Sequence, residues 1–107
     1  MFKFKKLDFS PGQVTYDDFD INPDIAFEEQ QYSLDEDLFQ VSYGEEYTID
    51  IGWSPSSDPE GNFVVRIIKN YDWDTPLYQK QTNNFEVLDE SVAECAKMVK
   101  NLLNEQL

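Results

Sequence analysis

The 107-residue chain contains no histidine, one cysteine and only four glycines. Without histidine it lacks the side chain that most often transfers protons near neutral pH, and it cannot form a Ser-His-Asp triad. The single cysteine, Cys95, excludes an internal disulfide and a cysteine-rich zinc site. The sequence also has no glycine-rich loop of the kind that binds phosphates. We therefore predict that the protein is not an enzyme and that it has no catalytic residues, no metal site and no cofactor.

Positive charge is missing from the middle of the chain. No Lys or Arg occurs between Lys6 and Arg66, whereas fifteen Asp and Glu residues do. The net charge of −14 arises in this acidic zone (residues 7–65), because the charges elsewhere nearly cancel. Nucleic-acid binding requires clustered basic residues, so we predict no nucleic-acid partner. A one-sided negative field favours a basic protein partner, but it also keeps a protein soluble.

Long hydrophobic runs are absent as well. The sequence has no stretch of roughly eighteen apolar residues, and its lysine-bearing N-terminus has no apolar signal-peptide core. We predict no membrane partner. A chain that cannot form an internal disulfide suits a reducing compartment, so the expected location is cytoplasmic.

Core-forming residues are plentiful, with 40% hydrophobic and 15% aromatic residues. At this length they suffice for one core, so residues 1–107 are predicted to form a single domain. In that domain the acidic N-terminal segment 1–37 is draped on the core, residues 38–82 form a sheet and residues 84–105 form a helix. The predicted class is α+β, an antiparallel four-stranded meander with a long C-terminal helix on one face.

Alternating apolar and polar residues predict the strand at 46–53, with Thr48 and Asp50 facing water. The nearly continuous apolar run at 63–69 predicts a central strand, and residues 38–43 and 73–82 complete the meander. Gly44 and Glu45 are expected to form a two-residue hairpin turn.

A helical period follows residue 84, where Asn83 or Asn84 can cap the first turn. Apolar residues recur at alternating spacings of three and four residues, which places them on one face of a helix. They are Phe85, Leu88, Val92, Cys95, Val99 and Leu102.

The N-terminal segment gives weaker patterns. Phe2, Phe4 and Leu7 alternate with lysines, as in a fifth, edge strand. Further along, acidic residues are interleaved with six apolar residues that we expect to anchor the segment, and a short helix is expected near 23–31. These anchors are Phe19, Ile21, Ile25, Phe27, Tyr32 and Leu34.

Oxygen-bearing side chains from Asp18 to Glu29 match several positions of a calcium-binding loop. Pro23 occupies the position where that loop needs a sharp turn, usually supplied by glycine, so a solvated acidic loop is the preferred interpretation. Trp53 closes a strand and is assigned to core packing. Trp73, between Asp72 and Asp74, is typical of an aromatic residue at a binding surface.

These patterns together define a predicted partner-binding face. Its members are acidic residues of the N-terminal segment together with Trp73 and its two neighbours, namely Asp17, Asp18, Asp20, Asp24, Glu28, Glu29, Asp35, Glu36, Asp37, Asp72, Trp73 and Asp74.

The stretches Gly52-Trp53-Ser54-Pro55, Asp58-Pro59-Glu60-Gly61-Asn62 and Asp72-Trp73-Asp74-Thr75-Pro76 resemble those of small acidic bacterial immunity proteins. The resemblance, over residues 52–78, implies a stoichiometric inhibitor that binds a basic toxin or nuclease domain in the cytosol. Two alternatives stay open. One is a structural or housekeeping protein whose acidity serves solubility, and the other is a hydrolase that uses carboxylates alone and needs two acids converging in a cleft. The oligomeric state is not predicted.

Overall fold

The computed structural model describes residues 2–106, which form one open antiparallel sheet and one α-helix, together with two short 3-10 helices. In this part of the chain five strands follow one another in the sheet in sequence order: β1 (Gln13–Asp17), β2 (Phe39–Tyr43), β3 (Tyr47–Ser54), β4 (Asn62–Lys69) and β5 (Tyr78–Thr82). The helix α1 spans Phe85–Asn104. The predicted α+β class, the antiparallel meander and the C-terminal helix are confirmed.

The centre of the sheet is the β3–β4 pair, which is in register from Tyr47 opposite Lys69 to Ser54 opposite Asn62. Its β-branched and aromatic residues pack well on a pleated surface, and those facing α1 are completely buried. Trp53 is 1% exposed, and its indole Nε1 donates a hydrogen bond to the Asp58 carbonyl at 2.8 Å. The assignment of Trp53 to core packing is therefore confirmed.

The helix begins where the sequence predicts. Asn84 is the N-cap, and its side-chain oxygen accepts a hydrogen bond from the Val87 amide at 3.0 Å. The predicted apolar stripe faces the sheet, where Leu88 and Cys95 are fully buried. Burial raises the pKa of the Cys95 thiol to about 12, so the thiol stays protonated at neutral pH. Neither α1 nor any other helix in residues 2–106 has the length and apolar character needed to cross a membrane.

The N-terminal fifth strand is present, but not near Phe2 and Phe4. Lys3–Lys6 instead forms a single turn of 3-10 helix, and the edge strand is β1, which pairs with β2. The predicted location of the strand is wrong, because Phe2 and Phe4 insert into an aromatic cluster beneath α1. The Phe4 amide also donates a hydrogen bond to Asp89 Oδ1 of α1 at 2.9 Å, which holds this turn against the helix.

The rest of the N-terminal segment crosses the sheet and returns to β2. Three of the six predicted anchors, Phe19, Ile21 and Leu34, are buried, and Phe27 is half-buried against Trp53. Ile25 and Tyr32 are 40% and 80% exposed, so these two are not anchors. Both lie in or beside the second 3-10 helix, Phe27–Ser33, which overlaps the short helix expected near 23–31.

Two connections differ from the predictions. Tyr43 pairs with Tyr47, so the β2–β3 hairpin has a three-residue loop, in which Gly44 takes a φ of +62°. After β4 the chain makes a left-handed turn at Asn70 and Tyr71, with φ values of 52° and 60°. Strand β5 consequently begins at Tyr78 rather than residue 73, which leaves Trp73 in the β4–β5 loop.

Candidate functional site

The face of the sheet opposite α1 carries a row of polar side chains. Cross-strand pairing aligns Gln40, Asp50, Arg66 and Gln79 from β2 to β5, and Tyr16 of β1 continues the row. Residues directly opposite each other in an antiparallel sheet project to the same face, so these side chains are neighbours. The row crosses the middle of the sheet, where apolar residues usually lie, and it is the base of the candidate site.

Asp50 is the most buried member of this row, at 2% exposure. Thr48 is buried too, so the prediction that Thr48 and Asp50 face water is wrong for both residues. Asp50 Oδ1 accepts a hydrogen bond from Gln40 Nε2 at 2.9 Å, whereas Oδ2 lies 3.9 Å from Arg66 Nη1, beyond hydrogen-bond distance. Arg66 Nε donates a hydrogen bond to Gln79 Oε1 at 3.2 Å.

The pKa of the Asp50 carboxyl is raised, chiefly because burial disfavours the charged form and secondarily because the charge of Asp37 is close. The hydrogen bond from Gln40 and the guanidinium of Arg66 act in the opposite direction. Asp50 is therefore held in a site that only partly compensates its negative charge.

The acidic segment 35–37 covers this face of the sheet. The carbonyl of Asp35 accepts a hydrogen bond from the Trp53 amide at 2.8 Å, and the Leu38 amide donates to the Ile51 carbonyl at 2.9 Å. Between these contacts lies Gly52, at which a β-carbon would collide with the carbonyl oxygen of Glu36. Glycine at this position allows the acidic segment to lie directly on β3.

The covering segment and the β4–β5 loop enclose a cleft of about 500 Å³, which we call the polar cleft. Trp73, at 45% exposure, forms part of its wall. The charged and polar lining residues comprise three carboxylates, one guanidinium, one amide and one hydroxyl, contributed by Glu36, Asp37, Asp50, Arg66, Gln40 and Ser54. The polar cleft is thus lined by more negative than positive groups, with an aromatic ring at its mouth.

A second, shallower cavity of about 360 Å³ adjoins the first and shares Glu36 and Asp37 with it. Tyr16 and Asp35 line this cavity too. The pKa of the Tyr16 hydroxyl is raised by desolvation and by the nearby charges of Asp18, Asp37 and Asp35. We refer to the carboxylates that surround Tyr16 as the acidic rim, which comprises Asp18, Asp35, Glu36 and Asp37.

The structure thus brings together part of the predicted partner-binding face. Glu36, Asp37 and Trp73 line the polar cleft, and Asp18 and Asp35 complete the acidic rim.

The other predicted members lie apart from this site. Asp17 pairs with Lys5, with Oδ1 3.2 Å from Nζ, and Asp20 lines a separate groove that also contains Lys5. Asp72 accepts a hydrogen bond from the Thr75 hydroxyl within the β4–β5 loop. The remaining members are exposed and line none of the described cavities, namely Asp24, Glu28, Glu29 and Asp74.

Sequence reasoning missed Gln40, Asp50 and Arg66. A signal was available, because Arg66 is the only charge inside the apolar run of β4, and Asp50 occupies an outward position of β3. Pairing the two strands in register sets these opposite charges side by side. An outward position predicts exposure to water, and the sequence pattern does not reveal that segment 35–37 covers this one.

The negative lining of the polar cleft favours a cationic ligand over an anionic one, and Asp37 lies close enough to Asp50 to raise the pKa of its carboxyl. Within residues 2–106 no three acidic or cysteine side chains converge in a way that would hold a metal ion. Comparison of the chain with protein-family models, with curated proteins and with solved structures gives no match.

Proposed function

We propose that the protein binds a basic protein domain through the polar cleft and the acidic rim. In keeping with the resemblance of residues 52–78 to immunity proteins, the partner would be a toxin or nuclease domain that is inhibited stoichiometrically in the bacterial cytoplasm. One observation carries the proposal: a half-exposed tryptophan, Trp73, shares a cleft with three carboxylates that continue into an exposed acidic rim.

The two parts of the site suit two steps of association. Three of the four rim residues, Asp18, Glu36 and Asp37, are exposed, so their charges act at long range and raise the rate of encounter with a basic surface by roughly 10- to 1000-fold at low salt. Trp73 acts at short range, because a partly exposed indole supplies a large contact area with little loss of conformational freedom. Charge thus governs the association rate and the aromatic contact governs residence time.

The test begins with capture of the partner from cell lysate at low salt, followed by association kinetics at several salt concentrations. The variant Asp18→Asn/Asp35→Asn/Asp37→Asn removes three charges of the acidic rim. We expect it to associate about tenfold more slowly at low salt, with a flatter salt dependence.

The matched control is Asp24→Asn/Glu28→Gln/Glu29→Gln, which removes the same charge from exposed positions outside both cavities. We expect a clearly smaller effect. Equal slowing by the two triple variants, or a rate that does not depend on salt, would contradict the proposal.

A second candidate function is hydrolysis by carboxylates alone, because the polar cleft brings Asp50, with its raised pKa, close to Asp37. Two neighbouring carboxyl groups, one with a raised pKa, are the arrangement used in acid–base cleavage of glycosidic bonds. Chromogenic aryl glycosides test this candidate. Turnover that is lost in Asp50→Asn would support it, and no turnover above the uncatalysed rate would remove it.

A further inference from the structure

We propose that the polar cleft is a receptor for a single arginine side chain of the partner, whose guanidinium lies against Trp73 and bonds to Asp50 and Asp37. The inference rests on the proposed function in one respect, since it assigns the arginine to the basic partner. It adds the chemical identity of the group that enters the site.

The charge of the lining favours a cationic occupant. Glu36, Asp37 and Asp50 face the cleft, and Arg66 is the only cation among the lining residues of the described chain. Arg66 offsets only one of these three charges, and its Nη1, 3.9 Å from Asp50 Oδ2, is too far from that oxygen for a hydrogen bond, while its Nε is hydrogen-bonded to Gln79. An incoming cation therefore meets a negative recess.

The buried carboxylate of Asp50 supplies a specific acceptor. One of its oxygens is engaged by Gln40 at 2.9 Å, while the other has Arg66 only at a distance too long for a hydrogen bond. This second oxygen forms no hydrogen bond within residues 2–106, so a donor from a ligand can form a charge-assisted hydrogen bond with it. Asp50 is 2% exposed, so it is fixed in position before the ligand arrives.

Trp73 distinguishes a guanidinium from an ammonium group. A planar, weakly hydrated guanidinium can stack on an indole and at the same time direct two N–H groups at a carboxylate, whereas a lysine ammonium is a compact and strongly hydrated charge. A cleft of about 500 Å³ accommodates such a group together with part of its aliphatic stem. The aromatic ring of Trp73 and the carboxylates of the cleft together fit an arginine side chain better than a lysine side chain.

The experiment titrates the full-length protein with three peptides, acetyl-Gly-Arg-Gly-amide and its lysine and citrulline analogues, and follows the two indole N–H signals by NMR. Citrulline keeps the shape of arginine but carries no charge. We expect the Trp73 signal to shift with the arginine peptide at millimolar concentrations, at least about fivefold weaker binding of the lysine peptide, and no binding of the citrulline peptide. Trp53 also lines the cleft, but its indole is 1% exposed and its N–H is bonded to the Asp58 carbonyl, so its signal should shift clearly less than that of Trp73.

Two variants identify the acceptors. Asp50→Asn and Asp37→Asn should each weaken binding of the arginine peptide about tenfold. Asp37 is exposed, so that substitution does not endanger folding. Asp74→Asn, beside Trp73 but outside the cleft lining, should bind as the parent does. Equal binding of arginine and citrulline peptides, an unmoved Trp73 signal, or equal affinities in Asp37→Asn and Asp74→Asn would overturn the inference.

The outcomes also separate this inference from the proposed function. If the peptide does not bind but the acidic-rim variant still slows association with the partner, the arginine receptor is wrong and the proposed function stands. If the peptide binds in the cleft but the acidic-rim and control variants associate equally, the receptor stands and the proposed docking function fails.

Discussion

The two faces of the sheet bury different kinds of side chain. On the face beneath α1, residues such as Ile49, Ile51 and Phe63 are fully buried among other apolar side chains, and burial itself stabilises the fold. On the opposite face Asp50 is nearly as buried, but beside Gln40 and a distant Arg66. Replacing a whole buried ion pair by well-packed apolar residues is often neutral or stabilising, so such a pair is weak evidence for a role in stability. The comparison teaches that the first face is shaped by stability, and it supports our proposal that the second face is shaped by binding.

The largest expected effect is on the α1 face. Phe63 is completely buried and packs against the rings of Trp53, Phe27 and Phe85. We expect Phe63→Ala to lower the free energy of unfolding by about 3 to 5 kcal/mol, because it removes buried surface and leaves a cavity. Urea denaturation followed by far-UV circular dichroism measures the change.

Trp73→Ala on the other face is the matched aromatic truncation. Trp73 is 45% exposed, so its loss should change the free energy of unfolding by only about 0.5 kcal/mol. Similar losses in the two variants would break the comparison between the faces.

The next effect concerns the contact that covers the polar face. In Gly52→Ala the new methyl group meets the backbone of Glu36, so the acidic segment must shift away from β3. We expect a loss of about 1 to 3 kcal/mol in the free energy of unfolding, measured in the same way. Ser54→Ala, at an exposed position of the same strand, is the control and should be close to neutral. An unchanged stability of Gly52→Ala would mean that segment 35–37 is not seated on the sheet.

Local patterns were sufficient to predict most of the fold. Alternation in β3 and the helical period of α1, including its Asn84 cap, depend on neighbours in sequence, and both elements form where these patterns predict them. The error at Phe2 and Phe4 has a different origin. Alternation with lysines fits an edge strand, but the two rings are drawn to a cluster under α1 by contacts with residues more than eighty positions away.

The site was only partly predictable for the same physical reason. The acidic character of the site is predicted from composition, and the exposure of Trp73 is predicted from its acidic neighbours. Both features belong to the polar cleft. Asp50 shares its cleft with segment 35–37 because this segment lies against β3 at Gly52, a packing contact that leaves no periodic signal in the sequence. Identification of this carboxylate therefore required the tertiary structure.

The smallest expected effect is the pH dependence of Asp50. Its pKa in the folded protein lies above the ordinary value of 3.8, so the folded state holds the proton more tightly than the unfolded chain. As the pH rises, the Asp50 carboxyl ionises and the free energy of unfolding of the parent protein falls. Asp50→Asn has no carboxyl at this position, so it does not lose this stability. The variant should gain in free energy of unfolding relative to the parent as the pH rises through and above 3.8.

Urea denaturation of both proteins across the acidic range gives this difference, and Asp74→Asn corrects for the removal of one charge. A relative gain that shrinks as the pH rises would show that the carboxylate of Asp50 is stabilised by its surroundings.

The most direct test of the central claim is the footprint of the captured basic partner on the protein, measured by amide and indole NMR shifts in the complex. We predict that the largest changes fall on Asp37, Asp50, Arg66 and Trp73, with smaller ones along the acidic rim. Changes centred on Lys3–Lys6 or on residues 24–29, with the cleft residues unaltered, would contradict it.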